Sequence, residues 1–450
     1  MRPVRSVASL VVRLLRHHRS PLAVASAAAL LCSAAPASAA TLAETKSRLA
    51  PMVRNLPGST SVSIRESSTN TVLASRKPTT PRIPASVTKL FTTSTALLED
   101  GPQAVLTTQL RVDGTIDDDG VLDGDLIVRG AGDPSLSLSG ISALAAAAEK
   151  AGITRIDGVL RADLAGWTTD QGTPLTGGAY NREIGGRLGA LVLSRGFASA
   201  KVTDPARQVL VKLRDAMRTR GLTGPVRFGA PAPSGAGTTV IGQVRSPTIA
   251  QLAAATNSPS DNFYAEQLLR GVGARHGAAG TTTAGLAVQR SRLAGLGVRP
   301  TLADGSGLSR ANRVAPSTIV RLLDVMAARP EGPALRASLA LAGNTGTLAG
   351  RMRGTAAAGR CRAKTGTLSN VSALAGWCTT LGKRTVTFAI LMNGVPVPAA
   401  RRRQDAILAV IAGWSDRPST SLAPAPTTPP PVPTTPSATT PTGGGAQIAG

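Results

Sequence analysis

Aromatic side chains are nearly missing: phenylalanine, tyrosine and tryptophan together make up 2% of the 450 residues. A chain of this length still buries a core, so alanine, leucine and valine must fill it. Acids are half as numerous as bases, 25 against 50, and the net charge is +25. A surface of that sign attracts polyanions, either nucleic acid or an anionic cell-wall polymer. A compositional preference for arginine accounts for it equally well. No helix-turn-helix pattern and no interleaving of basic and aromatic residues supports nucleic acid, so no nucleic-acid partner is expected. Histidine is scarcer still. Beyond residue 40 only His276 remains, in a Gly/Ala-rich segment with no carboxylate motif beside it. A Ser-His-Asp triad and a histidine-based zinc site both lack material, and no metal or cofactor is expected.

No apolar run outside the N-terminus is long enough to cross a bilayer. The N-terminus itself is distinctive. Arg2, Arg5, Arg13, Arg16 and Arg19 form a positive region, "PLAVASAAALLCSAAP" follows as an apolar stretch, and "ASAA" supplies small residues at Ala37 and Ala39. The pattern reads as a secretory signal cut near Ala39 or Ala40, so that residues 1–40 are a signal peptide and the product is exported. A retained segment holding the protein at the membrane is the alternative, and the bulky Leu31 argues against a lipid on Cys32. Removing the five arginines leaves a net charge of about +20. It also leaves only Cys361 and Cys378, an even pair that invites a bridge in an oxidising compartment.

Along the chain, "TLAETKSRLAPMVRNL" reads as a first helix and "STSVSIRESSTNTVLASRKP" as a two-strand hairpin. "SVTKLFTTSTALLED" has helical spacing after Pro84, which places Ser86 at a helix N-terminus and Lys89 one turn on. Residues 104–245 change texture and read as an inserted, smaller α+β domain. Helices return from Ser246. "RCRAKTGTL", "VSALAGWCTT" and "RTVTFAILMNGV" form three antiparallel strands, and "RRRQDAILAVIAGW" closes as an amphipathic helix. Residues 416–450 are a Pro/Thr-rich tail without the means to build a core. The fold class is therefore α+β: an antiparallel sheet flanked by helices, built from 41–103 and 246–415, with the insertion between.

Three small motifs fall in order on this frame: Ser86-Val87-Thr88-Lys89, Ser260-Asp261-Asn262 and Lys364-Thr365-Gly366. Each is weak alone. Together, on a helix, a break between helices and a strand, they match a set used for acyl transfer by serine. A serine hydroxyl needs a base, and with histidine scarce a lysine kept neutral among cations and hydroxyls can serve. Lys89 can reach Ser86 across one turn. Ser260 can relay a proton to a leaving amine, and Asn262 can hold Lys89 and a substrate amide. Lys364 and Thr365 suit a terminal carboxylate, and Gly366 leaves room for a substrate backbone along the strand.

These residues give the chain a resemblance to the D-alanyl-D-alanine carboxypeptidases of the class C low-molecular-mass penicillin-binding proteins, from about Thr41 to Trp414. "PASVTKLFT", "LIVRGAGDPSL", "SDNFYAEQLLR", "DGSGLSRANRVAP" and "AKTGTLSNVSALAG" all resemble that group, and the last four separate it from β-lactamases. The resemblance implies a penicillin-binding/β-lactamase-like transpeptidase domain, Ser86 as nucleophile, Lys89 as its base, and an oxyanion hole from the backbone N–H groups of Ser86 and Thr367. The implied partners are peptidoglycan stem peptides and β-lactam antibiotics. The group also contains endopeptidases that cut D-alanyl cross-links. A β-lactamase and a non-catalytic wall-binding scaffold are the rivals. The insertion is shorter than in members with two extra modules, and "GDPSL" and "DGSGLSR" read as structural turns. Finally, a two-residue loop at Ser369-Asn370 would pair 368 with 371 and, stepping outward, bring Cys361 opposite Cys378, close enough for a disulfide.

Overall fold

A computed structural model describes residues 40–168, 172–177, 179–195 and 203–416. The signal-like segment before Ala40, Cys32 within it, and the tail beyond Asp416 lie outside the described residues. The described chain opens with α1 (Leu42–Arg54), capped by Thr41, whose side chain accepts the Glu44 N–H while Glu44 returns a bond to the Thr41 N–H. The elements that follow are β1 (Ser59–Glu66), β2 (Val72–Arg76), α2 (Lys89–Asp100), β3 (Val105–Ile116), β4 (Val121–Arg129), α3 (Leu138–Lys150), β5 (Arg155–Ile156), β6 (Val159–Asp163), α4 (Pro205–Arg218), β7 (Arg227–Phe228) and β8 (Thr239–Thr248). Then come α5 (Ile249–Asn257), α6 (Asn262–His276), α7 (Thr282–Ala294), α8 (Pro316–Ala327), α9 (Gly332–Ser338), β9 (Ala340–Leu341), β10 (Cys361–Leu368), β11 (Val371–Thr379), β12 (Thr385–Asn393) and α10 (Val397–Ala412). The fold is α+β. Among the described residues no helix is long and apolar enough to cross a membrane.

The first of two six-stranded sheets has the order β2-β1-β12-β11-β10-β9 and is antiparallel throughout. Its two faces carry different side chains because strand residues alternate. Leu374, Phe388, Ile390 and Met392 pack with Leu49 and Val53 of α1 and Ile407 and Ile411 of α10. Ala373, Ala375, Trp377, Ala389 and Leu391 pack on the opposite side with Val87, Leu90 and Phe91. Burial on both faces explains why β11 and β12 read as almost unbroken apolar runs. The alanines on the second face leave room for the segment carrying residues 84–91.

The second sheet has the order β7-β6-β4-β3-β8, with β5 beside β4. Helices α3 and α4 cover one face, through Leu144, Ala148, Val209 and Leu213 against Leu110, Leu126 and Val128. β4 and β6 run parallel, joined through α3, as a parallel pair requires a crossover. Val105, at the start of β3, pairs with Thr248, at the end of β8. The segment thus leaves the first sheet's helical layer and re-enters it at adjacent points.

β10 and β11 are joined by a two-residue turn, and Leu368 pairs with Val371. Cys361 lies opposite Cys378, and the two are bonded, with S–S 2.03 Å and a sequence separation of 17. A bridge closing a loop of that size removes conformations from the unfolded chain worth about 3 kcal/mol. Cys361→Ala/Cys378→Ala is therefore expected to lower unfolding free energy by about that amount in urea titration. An unchanged midpoint would show that the bridge adds nothing to the fold.

Candidate active site

Pro84 stops β-structure, and residues 85–88 form a single 3-10 turn before α2 begins at Lys89. The expected helix start at Ser86 is thus a tighter turn. Ala85 carries a φ of 48°, a left-handed conformation that costs a residue with a Cβ roughly 1 kcal/mol or more. Two glycines hold the turn in place. A Cβ on Gly366 would lie 2.4 Å from the Pro84 carbonyl oxygen, and one on Gly307 2.0 Å from that of Ala85. The bare face of Gly366 therefore admits the nucleophile turn, where the sequence suggested it admits a substrate backbone.

Lys89 is fully buried. Its Nζ donates to Ser86 Oγ at 3.0 Å, Asn262 Oδ1 at 2.6 Å and the Ser306 carbonyl at 2.6 Å. Burial pulls its pKa down to about 7, against the opposing charges of Asp304 and Glu266. Those acids are organised. Glu266, also buried, accepts the N–H groups of Gly305 (3.1 Å) and Ser306 (2.8 Å), and burial followed by the Asp304 charge pushes its own pKa up to about 7. Asp304 accepts the N–H groups of Gly307 and Ser309. The "DGSGLSR" stretch, read from sequence as a turn, is thus the platform that aims a carbonyl at Lys89.

Ser260 has a φ of 67°, in the break between α5 and α6, and Asp261 caps α6 by accepting the Tyr264 N–H at 3.0 Å. Asn262 also donates Nδ2–H to the Glu183 carbonyl at 2.8 Å. From the other side Lys364, fully buried on β10, donates to Ser260 Oγ at 2.8 Å and to the Thr365 carbonyl at 2.9 Å. Burial, and then the charge of Lys89, hold its pKa well below the usual lysine range. Thr365 Oγ1 bonds to Thr347 Oγ1 at 2.9 Å, and Thr367 Oγ1 accepts from Arg401 at 3.0 Å.

A cleft of about 390 Å³ opens in front of the two buried lysines. Ser86, Ser260, Asn262, Thr365 and Thr367 stand on it with Thr347 and Arg401, two residues the sequence did not single out. Its wall includes an open sheet edge. β9 pairs only with Arg362 and Ala363, so β10 has no strand partner there from Lys364 onward. The Cys361 carbonyl accepts the Ala342 N–H on that side while the Arg360 carbonyl accepts the Thr379 N–H on the other. By the period of two, Thr365 and Thr367 turn their backbone groups to the open edge, where an extended peptide can pair. Among the described residues no group of three His, Cys, Asp or Glu side chains could hold a metal ion. His276 is exposed, away from the cleft lining, and meets a carboxylate after all: its Nε2 lies 2.7 Å from Asp100 Oδ1.

A profile of the D-Ala-D-Ala carboxypeptidase 3 (S13) family matches residues 27–176 and 181–414. The D-alanyl-D-alanine carboxypeptidase of Actinomadura sp. (strain R39) is 37% identical over 224 residues, which are 48% of this chain and 41% of that protein. Carboxypeptidase DacB of Mycolicibacterium smegmatis is 31% identical over 363 residues, 74% of this chain and 75% of that one. The alignment thus spans less than half of the first relative and about three quarters of the second. The crystal structure of penicillin binding protein 4 (dacB) from Haemophilus influenzae shares the fold, with a TM-score of 0.66 at 23% identity, covering 80% of this chain and 97% of that one.

Burial of Lys89 couples stability to pH. In the unfolded chain a lysine holds its proton up to about 10.5, whereas in the fold it releases it near 7. Between those values the unfolded state binds more protons, so stability rises with pH, by about 1.4 kcal/mol per unit for one group. The difference in unfolding free energy between the protein and Lys89→Met is expected to grow in the protein's favour from pH 7 to 9. A difference that stays flat would mean that Lys89 keeps its ordinary ionisation.

Proposed function

Because the chain belongs to the D-Ala-D-Ala carboxypeptidase 3 (S13) family, we propose that it is an exported serine peptidase that removes the terminal D-alanine from peptidoglycan stem peptides through an acyl-enzyme. The observation that carries this reading is the 3.0 Å contact between a fully buried lysine amine and a serine hydroxyl on the cleft wall. The named activity of the relatives agrees with it.

In the proposed reaction the stem peptide lies along the open edge of β10. Ser86 Oγ attacks the carbonyl carbon of the penultimate D-alanine, and its proton passes to neutral Lys89. The carbonyl oxygen gains the electron pair and is met by the backbone N–H groups of Ser86 and Thr367. When the intermediate collapses, the C–N bond breaks and the leaving D-alanine takes a proton by way of Ser260. The 2.8 Å contact between Lys364 and Ser260 supports that relay. Water then attacks the ester, giving the shortened peptide and restoring the serine. A β-lactam presents a strained amide to the same serine, and the Haemophilus influenzae protein of like fold has been solved in complex with one.

Two observations support export. The first residues have the form of a secretory signal, and the Cys361–Cys378 bond suits an oxidising compartment. The excess of arginine suits an anionic wall polymer as a further partner.

Labelling with a fluorescent penicillin tests the centre directly. The protein is expected to take up label stably, and Ser86→Ala to lose it entirely. Lys89→Ala is expected to slow labelling by at least 100-fold, the scale of a general base. Rapid loss of label would make the protein a β-lactamase, and no labelling would make it a scaffold.

A further inference from the structure

The break between α5 and α6 is gripped from outside its own helices. Residues 179–195, between β6 and α4, reach from the second sheet to Asp261 and Asn262. Leu191 and Leu193 pack in the core under that sheet, while Ile184, Leu188 and Val192 pack on Phe263 of α6. The Gly189 N–H donates to Gln267 Oε1 at 2.9 Å, which ties the same stretch to α6 once more. Arg195 is its polar contact with the second motif. The Arg195 guanidinium pairs with Asp261 Oδ2 and lies 5.6 and 5.5 Å from the ring centroids of Phe263 and Tyr264. The backbone is bent to put it there. Ser194 and Arg195 are both left-handed, with φ of 46° and 61°. A Cβ on Gly186 would lie 2.5 Å from the Arg195 carbonyl oxygen and 2.8 Å from the Phe263 ring.

We propose that Arg195 is a positioning residue for the reaction: by holding Asp261 it keeps residues 183–195 against the second motif, and so fixes the direction in which Asn262 presents its amide to Lys89. The inference rests on the peptidase reading and deepens it by naming what sets the geometry of the base. Asp261 divides its carboxylate between two partners. Oδ1 accepts the Tyr264 N–H and starts α6, and Oδ2 meets Arg195. Asn262, the next residue, is likewise held at both ends. Its Nδ2–H donates to the Glu183 carbonyl at 2.8 Å, which leaves Oδ1 to accept from Lys89 at 2.6 Å. An amide turned over would offer N–H groups to an amine that needs an acceptor. The Glu183 carbonyl prevents that turn only while its own stretch stays docked, and Arg195 docks it. The charge of Arg195 is permanent, so the clamp holds across the pH range in which Lys89 titrates.

Acylation of Ser86 by a penicillin over a range of concentrations separates the limiting rate from half-saturation. Arg195→Ala is expected to lower the limiting rate about tenfold, within what a misplaced catalytic group can cost. The half-saturating concentration should stay within about twofold, because binding is not what the clamp serves. Arg195→Lys keeps a cation for Asp261 and should recover most of the rate. Asp261→Asn can still cap α6 but offers Arg195 no charge. In that background Arg195→Ala should change nothing further, since the two act as one unit. Titration of Lys89 in protein carrying 13C-labelled lysine adds a readout that needs no reaction. Removing a cation by itself raises the pKa of a nearby lysine, whereas losing the Asn262 oxygen lowers it. Lys89 is expected to titrate lower in Arg195→Ala and at its original pH in Arg195→Lys. Glu266, Asp304 and Lys364, the charged groups around it, are the same in each protein. Melting temperatures check folding, and Arg195→Gln replaces Arg195→Ala if the latter does not fold. The inference is overturned if Arg195→Ala is acylated at the unmutated rate, if its loss is as large on top of Asp261→Asn, or if Lys89 titrates at the same pH or higher. If the unmutated protein takes up no penicillin while Lys89 still titrates lower in Arg195→Ala, the peptidase reading fails and the positioning of Asn262 stands.

Discussion

The desolvated amine of Lys89 is the constraint around which the rest of the molecule is arranged. Removing an ammonium from water is costly, and a buried lysine lowers that cost by giving up its proton. Three oxygens take the place of water here, from Ser86, Asn262 and the Ser306 carbonyl, and each arrives from a different part of the chain. Glu266 and Asp304 oppose the shift, so the amine settles near neutral pH instead of losing its proton altogether. A base poised there suits proton transfer from a hydroxyl at physiological pH. The strained backbone at Ala85 and Ser260, and the missing Cβ atoms of Gly307 and Gly366, follow from bringing those segments together.

Lys364 complicates and completes the picture. Two buried lysines near one cleft cannot both carry charge freely, and the charge of Lys89 helps to keep Lys364 low. Lys364 is held against Ser260 by a 2.8 Å contact, and Arg401 stands exposed on the cleft lining.

Much of this was legible in the sequence. The spacing of Ser86 and Lys89 foretold their contact, because one turn of either helix type brings them together. The two-residue turn at Ser369-Asn370 was enough to put Cys361 opposite Cys378, because strand register is simple arithmetic. What stayed hidden depends on long-range contact. The Ser306 carbonyl has no side-chain signature, and Glu266 reads as one more residue in a helix until its partners at 305 and 306 are known. Thr347 and Arg401 come from a 3-10 turn and a helix whose sequences announce only packing. Gly366 was singled out for a close approach, and the approach that the fold shows is that of the Pro84 carbonyl.

The pH dependence of Ser86 acylation by a penicillin tests the central claim most directly. If the neutral amine of Lys89 is the base, the second-order rate should rise tenfold per pH unit below about 7 and level off above it. A rate that keeps rising toward pH 10, or one indifferent to pH across the neutral range, would contradict it.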